Sequence, residues 1–450
     1  MSGLYTRFVA GALFPLHERL KGHNTVAVRR ELERSQWYEP EALQALQLAR
    51  LQRLLQRAGE RVPYYRELFA RLGFDPQSLD DLAGLRSLPF LTKDLIRANQ
   101  EALKAEDAVG LARFNTGGSS GQPLIFFIGR ERVSHDVAAK WRATRWWGVD
   151  IGDPEIVVWG SPIELGSQDR IRALRDRLLR SRLIPAFEMS EARLADYVAR
   201  IRAFRPRMLF GYPSSLAHIA AWAEQAGERL DDLGIRVAFV TSERLYDHQR
   251  ETIERVFACP VANGYGGRDA GFIAHQCPAG GMHITTEDII VELIGEDDRP
   301  VADGEPGEVV VTHLATGDYP FIRYRTGDVA VRDSGRCACG RGLPLLREIQ
   351  GRTTDFIVAS DGTVMHGLAL IYVVRDLPGV ENFRIEQLSR ERTRVQLVTG
   401  DGFEEGSIEQ IRNGFKARLG AEVQIDIERV ASIPREKSGK FRYVVSQVRP

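Results

Sequence analysis

Asn115-Thr116-Gly117-Gly118-Ser119-Ser120-Gly121-Gln122-Pro123 runs directly into the apolar stretch Leu124-Ile125-Phe126-Phe127-Ile128. Three glycines and three hydroxyl residues fall within nine positions. Glycine takes positive φ and lets the backbone approach a ligand closely. Successive N–H groups in such a turn form an anion-binding nest, and the hydroxyls add donors for phosphate oxygens. The stretch is not a Walker A loop, which needs Gly-Lys-Ser/Thr opening a helix, whereas Gln122-Pro123 opens a strand. A solvent-exposed hairpin turn is the plain alternative. What decides between the two is what else in the chain converges on a triphosphate.

Downstream, strand-like runs at 124–128, 156–159, 208–210, 237–240 and 260–262 alternate with helical patterns at 132–147, 169–180, 191–204, 214–226 and 246–257. Such alternation predicts an α/β domain with a largely parallel sheet. From 283 to 333 the texture becomes β-rich, with runs at 289–294 and 308–313 and turn signals at Asp303-Gly304 and Thr316-Gly317-Asp318. That predicts a smaller β subdomain. Upstream, residues 1–110 read as helical. Leu43, Leu46, Leu51, Leu54 and Leu55 fall at helical spacing, Gly59 and Val62-Pro63 stop that helix, and Thr92 reads as an N-cap. After Gly351-Arg352 the pattern strand, helix, strand, strand, helix, strand makes an α+β unit of independent size.

The 450 residues fit two or three domains, and a hydrophobic fraction of 43% supports large cores. Lys+Arg and Asp+Glu are both 61, which argues against a nucleic-acid footprint. Four cysteines in a chain this long are no disulfide framework and point to a reducing compartment. The best N-terminal apolar candidate, 8–16, is broken by Gly11 and Pro15 and is too short to span a membrane. The expectation is a soluble, cytoplasmic protein without internal repeats.

Further motifs follow. Asn263-Gly264-Tyr265-Gly266-Gly267-Arg268-Asp269 closes a strand, and glycines flanking an aromatic suit a base stacked near backbone. Asp269 suits a hard cation, which takes carboxylate oxygens. In Arg323-Tyr324-Arg325-Thr326-Gly327-Asp328 a carboxylate after glycine suits two ribose hydroxyls, although Thr-Gly-Asp is also a common turn. Gly439-Lys440, near the C-terminus, offers a compact point charge on a flexible stem. Cys277, His283, Cys337 and Cys339 supply the three thiolates and one imidazole of a structural zinc site, with His275 competing for the fourth place. Free reduced cysteines at a subdomain seam are the alternative, and Cys259 reads as core. Trp141, Trp146, Trp147 and Trp159 suit either an aryl pocket or packing, while Arg142 and Arg145 on the same helix suit a polar acid.

In this order the motifs resemble those of the adenylate-forming enzymes. Within them the chain resembles the phenylacetate–CoA ligase family, in the branch associated with capsule and exopolysaccharide biosynthesis. The resemblance extends from Gln36-Trp37 and Val62-Pro63-Tyr64-Tyr65-Arg66 to Gly439-Lys440. It implies a large α/β adenylate-forming domain with a β-rich subdomain and a small mobile α+β C-terminal domain. Residues 1–110 would be the helical part, 111–352 the AMP-binding core and 353–450 the lid. By the same resemblance Thr116, Gly117, Gly118, Ser119, Ser120 and Gly121 cradle phosphates, and Ser242-Glu243 lie near the adenine. Tyr265, Gly266, Gly267 and Arg268 would contact the nucleotide, Asp269 would hold Mg²⁺ and Asp328 would take the ribose. Arg352, in the hinge motif 351–355, and Lys440 would act catalytically, and the Cys/His set would bind Zn²⁺.

The sequence departs from the family pattern at Gln122 (usually Lys), Arg268 (usually a hydroxyl), Asp269 (usually Glu) and Thr354 (often Asp). The implied reaction is ATP-dependent activation of a carboxylic acid, then transfer to coenzyme A. An amine or carrier-protein acceptor, or a member that binds nucleotide without turnover, is the alternative. A homodimer is usual for the family.

Overall fold

The computed structural model describes residues 3–115, 124–159, 170–186, 191–243, 245, 247–295, 297–349, 356–375, 377–433 and 443–448. The sequence-predicted residues Thr116 to Gly121, Gln122, Arg352 and Lys440 therefore lie outside the described residues.

The helical part contains Thr25–Ser35, Pro40–Arg61, Pro63–Leu72 and the short Lys93–Ala98. Thr92 caps the last of these, its hydroxyl accepting the Leu95 N–H at 3.2 Å. The long helix runs through Gly59 to Arg61 rather than stopping at the glycine. The physical reason is a close approach: a Cβ on Gly59 would stand 3.1 Å from the Phe69 ring of the next helix. The break comes at Val62, held in the extended region at φ −109°, as expected of a residue preceding proline.

The strands are β1 (Ala112–Asn115), β2 (Ile125–Ile128), β3 (Glu155–Trp159), β4 (Ser181–Pro185), β5 (Met208–Gly211), β6 (Val237–Val240), β7 (Val261–Gly267), β8 (Gly271–Gln276), β9 (Met282–Ile284), β10 (Ile289–Ile294), β11 (Pro306–His313), β12 (Tyr324–Asp333) and β13 (Leu345–Ile349). Strands β3 to β13 form one sheet in the order β10-β11-β12-β13-β9-β8-β7-β6-β5-β3-β4. Its β4-β3-β5-β6-β7 half is parallel. Every residue of β5 and β6 is buried, the mark of strands covered on both faces. Helices Arg170–Leu178, Glu191–Phe204, Pro213–Gln225 and Asp247–Phe257 make the crossovers, and Arg130–Trp146 leads from the β1–β2 pair into β3.

The β-rich region is continuous with this sheet rather than a separate layer. Strand β7 pairs in parallel with β6 through Ala262 and Asn263, then antiparallel with β8 from Gly264 onward. One strand thus passes from the parallel half to the antiparallel half at the start of the Asn263–Asp269 motif. Strand β4 escaped sequence reading because Ser181-Arg182-Leu183-Ile184-Pro185 has a polar start and forms an edge, where alternation is weak.

Residues 356–448 build their own sheets: the pair β14 (Phe356–Val358) and β15 (Val364–His366), and a four-stranded sheet of β16 (Val380–Ser389), β17 (Arg392–Thr399), β18 (Gln424–Arg429) and β19 (Val444–Ser446). Helices Leu368–Arg375 and Gly406–Leu419 pack on them around Leu370, Phe383, Ile385, Leu397, Ile411 and Phe415. The chain is thus a large sheet-rich α/β unit and a small α+β unit with its own core.

Candidate active site

In an open parallel sheet the carboxyl ends of the strands collect polar residues, because there the chain leaves the sheet before each helix. Here that edge carries Tyr212-Pro213-Ser214 after β5, Thr241-Ser242-Glu243 after β6 and the Gly264–Asp269 motif at β7. Ser214 opens a helix and donates its hydroxyl to Glu243 Oε2 at 2.5 Å. Ser242 sits at φ +73°, a conformation that non-glycine residues adopt at a cost of about 1–3 kcal/mol and that clusters at functional sites. The structure therefore brings the predicted pair 242–243 to the same edge as Tyr265. It also adds Ser214, which no motif signalled.

The glycines of β7 are steric requirements. A Cβ on Gly264 would stand 2.8 Å from the Phe239 ring, and one on Gly266 would collide with the Gly271 carbonyl of β8. Between them Tyr265 is nearly buried, and its hydroxyl donates to Asp328 Oδ2 at 3.1 Å. In return, the fully buried Tyr324 of β12 donates to Asp269 Oδ2 at 2.6 Å. Two tyrosine–aspartate bonds thus cross in opposite senses between strands that are not neighbours in the sheet. A bulge in β12 makes this possible: the register against β11 shifts beyond Arg325. Gly327 takes φ +81°, its N–H donates to Glu308 Oε1 at 3.2 Å, and Thr326 Oγ1 accepts the Asp328 N–H at 3.1 Å. Thr-Gly-Asp is therefore a turn within a strand, serving to aim a carboxylate. Two held carboxylates suit the hydroxyls of a sugar and a hard cation.

Arg268 reaches back to the Asn115 carbonyl at 3.5 Å, the outer limit of a hydrogen bond. Asn115 ends β1, opposite Ile125 of β2. The strand residues that flank positions 116–123 are therefore adjacent, and Asn115 lies beside Arg268. Arg268 is steadied from below. The buried Arg132 donates to the Arg268 carbonyl at 2.9 Å and pairs with Asp136, which in turn faces His313 at 3.4 Å. Burial opposes ionisation of Asp136, but Arg132 and His313 outweigh it and hold the carboxyl below its usual range. This support was missed; the i,i+4 Arg132/Asp136 spacing was its only signal.

Strand β8 carries a second constellation at its other end. Cys277, His283, Cys337 and Cys339 place one donor atom each within 4.8 Å of one another. Cys277 Sγ and Cys337 Sγ stand 3.5 Å apart, and Cys339 Sγ is 3.2 Å from His283 Nε2. Two thiolates bound at 2.3 Å to one tetrahedral ion would stand about 3.7 Å apart, so the donor set fits Zn²⁺. The His283 Nδ1 side faces the Leu343 carbonyl at 3.3 Å, directing Nε2 inward. A Cβ on Gly281 would stand 2.6 Å from Cys337 Sγ, so the turn must carry glycine for the sulfur to approach. Burial, with Arg341 and Arg142 adding, lowers the His283 imidazole to about 4, the neutral ligand form. His275, opposite His283 across β8 and β9, is not among the four: it stacks on Phe272 at 5.5 Å and tilts against Phe239 at 5.8 Å. Cys259 is core, its thiol pushed up to about 12 by burial.

Arg142 and Arg145 do not await a polar acid. Arg142 is buried against Glu287 at 2.6 Å, and Arg145 pairs with Glu33 and Asp150. The Trp141, Trp146 and Trp147 indoles likewise donate to Asp150, Gln36 and the Gln276 carbonyl. Trp159 stacks on Tyr212 at 4.5 Å, at the edge that carries the motifs.

Comparison with known proteins bears on this geometry. A family model described as the CapK C-terminal domain matches residues 357–447. Protein CapK of Staphylococcus aureus is 24% identical over 393 residues, covering 86% of this chain and 85% of that protein. The phenylacetate-coenzyme A ligase of Escherichia coli K12 is 25% identical over 421 residues, covering 89% and 94%. A solved structure of 2-hydroxyisobutyryl-CoA ligase, in complex with 2-HIB-AMP and CoA, shares the fold at a TM-score of 0.66 and 22% identity, over 92% of this chain and 91% of that one. Among the described residues, no helix is long and apolar enough to cross a membrane.

Proposed function

We propose that this chain, which is homologous to Protein CapK and to phenylacetate-coenzyme A ligases, activates a carboxylic acid with ATP and passes the acyl group to coenzyme A. The observation that carries the reading is the reciprocal pair Tyr265–Asp328 and Tyr324–Asp269 at the carboxyl edge of the sheet. Two motifs some 60 residues apart meet there. Both resemble motifs of acid–CoA ligases, and relatives named phenylacetate-coenzyme A ligase match 89–90% of this chain.

In the first step a carboxylate oxygen of the acid attacks the α-phosphorus of ATP. The bond from that phosphorus to the bridging oxygen breaks, and pyrophosphate leaves with both electrons. In the second, the coenzyme A thiolate attacks the acyl carbon and AMP departs. The chain's residues bind and orient. Thr116 to Gly121 receive the phosphates, Tyr265 to Gly267 face the base, and Asp328 accepts the ribose hydroxyls. Arg268 replaces the hydroxyl usual beside the α-phosphate and supplies a cation there, which offsets the lysine missing at Gln122. Asp269, oriented by Tyr324, would hold Mg²⁺, which when bound neutralises phosphate charge. Lys440 and Arg352 bring positive charge to the transferring phosphoryl group, and the unit after residue 352 turns as a lid between the two steps. Cys277, His283, Cys337 and Cys339 would hold a Zn²⁺ with a structural rather than a catalytic part.

ATP–pyrophosphate exchange against a panel of aryl, fatty and sugar acids tests this. One acid should support exchange, and Lys440→Ala should lower it roughly 10²–10³-fold, about 3–4 kcal/mol, as for loss of one oxyanion donor. Exchange that survives in Lys440→Ala removes that residue from the mechanism. ATP binding without exchange for any acid selects the non-turnover reading, and makes 122, 268 and 269 the positions to revert.

A further inference from the structure

The N-terminal helical segment, Leu4–Phe8, a π turn Val9–Leu13 and Phe14–Leu20, has a mixed face turned inward and an apolar stripe turned outward. Its inner face buries Thr6, Val9, Phe14 and Glu18, with Phe14 edge-on to Trp141 at 5.2 Å. The outer face carries Leu4, Phe8, Ala12, Leu16 and Leu20, every fourth residue, and all five are exposed. Leu4 is 86%, Phe8 57%, Leu16 56% and Leu20 80% accessible. Residues four apart drift about 40° per step around an α-helix. The π turn, wider by nearly one residue, takes back part of that drift and keeps the stripe on one side. A surface helix ordinarily turns polar residues outward, so this stripe asks for a partner.

Charge indicates which partner. The Tyr5 hydroxyl donates to the Leu178 carbonyl at 2.8 Å, and the Arg180 guanidinium lies 5.6 Å from the Tyr5 ring. The stripe thus adjoins the end of the helix Arg170–Leu178, which exposes Leu174 and Leu178 in its turn. Residues 3–23 and 174–180 together hold six Lys/Arg (Arg7, Arg19, Lys21, Arg175, Arg177 and Arg180) against two acids, Glu18 and Asp176, in a chain whose total charges balance at 61 each. Glu18 is buried against Thr25 and the imidazoles of His17 and His23, and Asp176 is paired with Arg175. The patch is therefore apolar in its middle and cationic around it.

We propose that this face docks onto the surface of an anionic lipid bilayer. The segment 4–20 would lie in the plane of the interface, its stripe among the upper acyl carbons and its cations at headgroup level. A second copy of this chain would set the same cations against one another. A polyanion in water would gain nothing from five outward apolar positions. An anionic bilayer satisfies both features at once.

The test is sedimentation of the full chain with vesicles of phosphatidylglycerol and phosphatidylcholine in equal parts, against vesicles of phosphatidylcholine alone. Binding should require the anionic lipid and weaken as salt is raised. It should fall roughly tenfold or more in Phe8→Glu and in Leu16→Glu, since each puts a charge into the apolar layer. Arg7→Glu should lower it several-fold. Melting of these variants, followed by circular dichroism, should match the unchanged chain, because the substituted side chains face outward. Failure to bind, equal binding to both vesicles, or binding indifferent to the two Glu variants overturns the proposal. A dimer in light scattering that Phe8→Glu dissolves would assign the face to a second copy instead.

Discussion

Strand β8 is six residues long and joins two constellations that are held together by different means. At its start, the turn carrying Arg268 and Asp269 is fixed by the protein alone: crossed tyrosine–aspartate bonds, a buried arginine beneath the turn, and a glycine that the neighbouring strand leaves no room to replace. At its end, Cys277 enters a group of four donors whose Sγ and imidazole atoms face one another. The first geometry exists before any ligand arrives. The second is a donor set that a cation would draw together, since thiolates so close would repel one another if ionised without it. One end can therefore be broken an oxygen atom at a time, and the other by a chelator.

The largest expected effect is at the Cys/His end. Protein purified without chelator should carry about one zinc per chain by mass spectrometry, and Cys337→Ser should lose it. Loss of a structural metal belongs to the small class of changes costing on the order of 5 kcal/mol, visible as a lower denaturant midpoint. A metal-free chain that is equally stable would erase the contrast and return the four residues to ordinary packing.

Removing one oxygen from the other end should act differently. Tyr324→Phe deletes the hydroxyl that meets Asp269 at 2.6 Å while keeping the buried ring. A hydrogen bond to a charged group contributes about 1.5–3 kcal/mol. Because Asp269 then loses the bond that orients it, exchange should fall roughly 10- to 100-fold while zinc content is kept and melting falls by only a few degrees. Tyr265→Phe is the paired measurement on Asp328 and should raise the KM for ATP more than it lowers kcat. A Tyr324→Phe variant that loses stability and activity together would make the crossed pair a structural rivet rather than a positioning device.

The same two ends show what a sequence exposes. Some residue types announce their chemistry in the chain itself: cysteines, a glycine-flanked tyrosine, an aspartate after glycine. Elements with strong periodicity are equally legible, and the helix Glu191–Phe204 and the strands Val237–Val240 and Ile289–Ile294 coincide with their predicted bounds. Partnership is not legible. Nothing near Asp269 indicates Tyr324, 55 residues away, and nothing near Glu243 indicates Ser214. Arg142 and Arg145 mislead because a helical arginine looks the same whether its partner is a substrate or a buried Glu287. His275 and His283 are equivalent in sequence. In the structure they stand opposite each other on β8 and β9, and it is His283 whose Nε2 comes within 3.2 Å of Cys339 Sγ.

The smallest effect concerns the helix Arg130–Trp146, which lies behind both constellations. Arg132 supports the Arg268 turn, and Trp146 meets the His283 ring edge-on at 5.6 Å. Between them His135 pairs with Asp288 at 2.7 Å. Burial disfavours the imidazolium and Arg50 adds to that, but Asp288 and Glu131 outweigh both, so the folded pKa of His135 is raised. Asp288 is depressed, because His135, Arg50 and His313 together overcome its burial. The sign follows from proton counts. Below the unfolded value, about 6.5, both states carry the His135 proton and the pair's contribution is complete. Above it the unfolded chain releases the proton first, so stability is lost as pH rises through the raised folded value. Urea midpoints measured from slightly acid to slightly alkaline pH should therefore decline for the unchanged chain, relative to His135→Gln. The difference between the two curves cancels the other titrating groups, the thiols among them. If the curves stay parallel, His135 is neutral when folded, and the helix supports the two ends of β8 through packing and Arg132 alone.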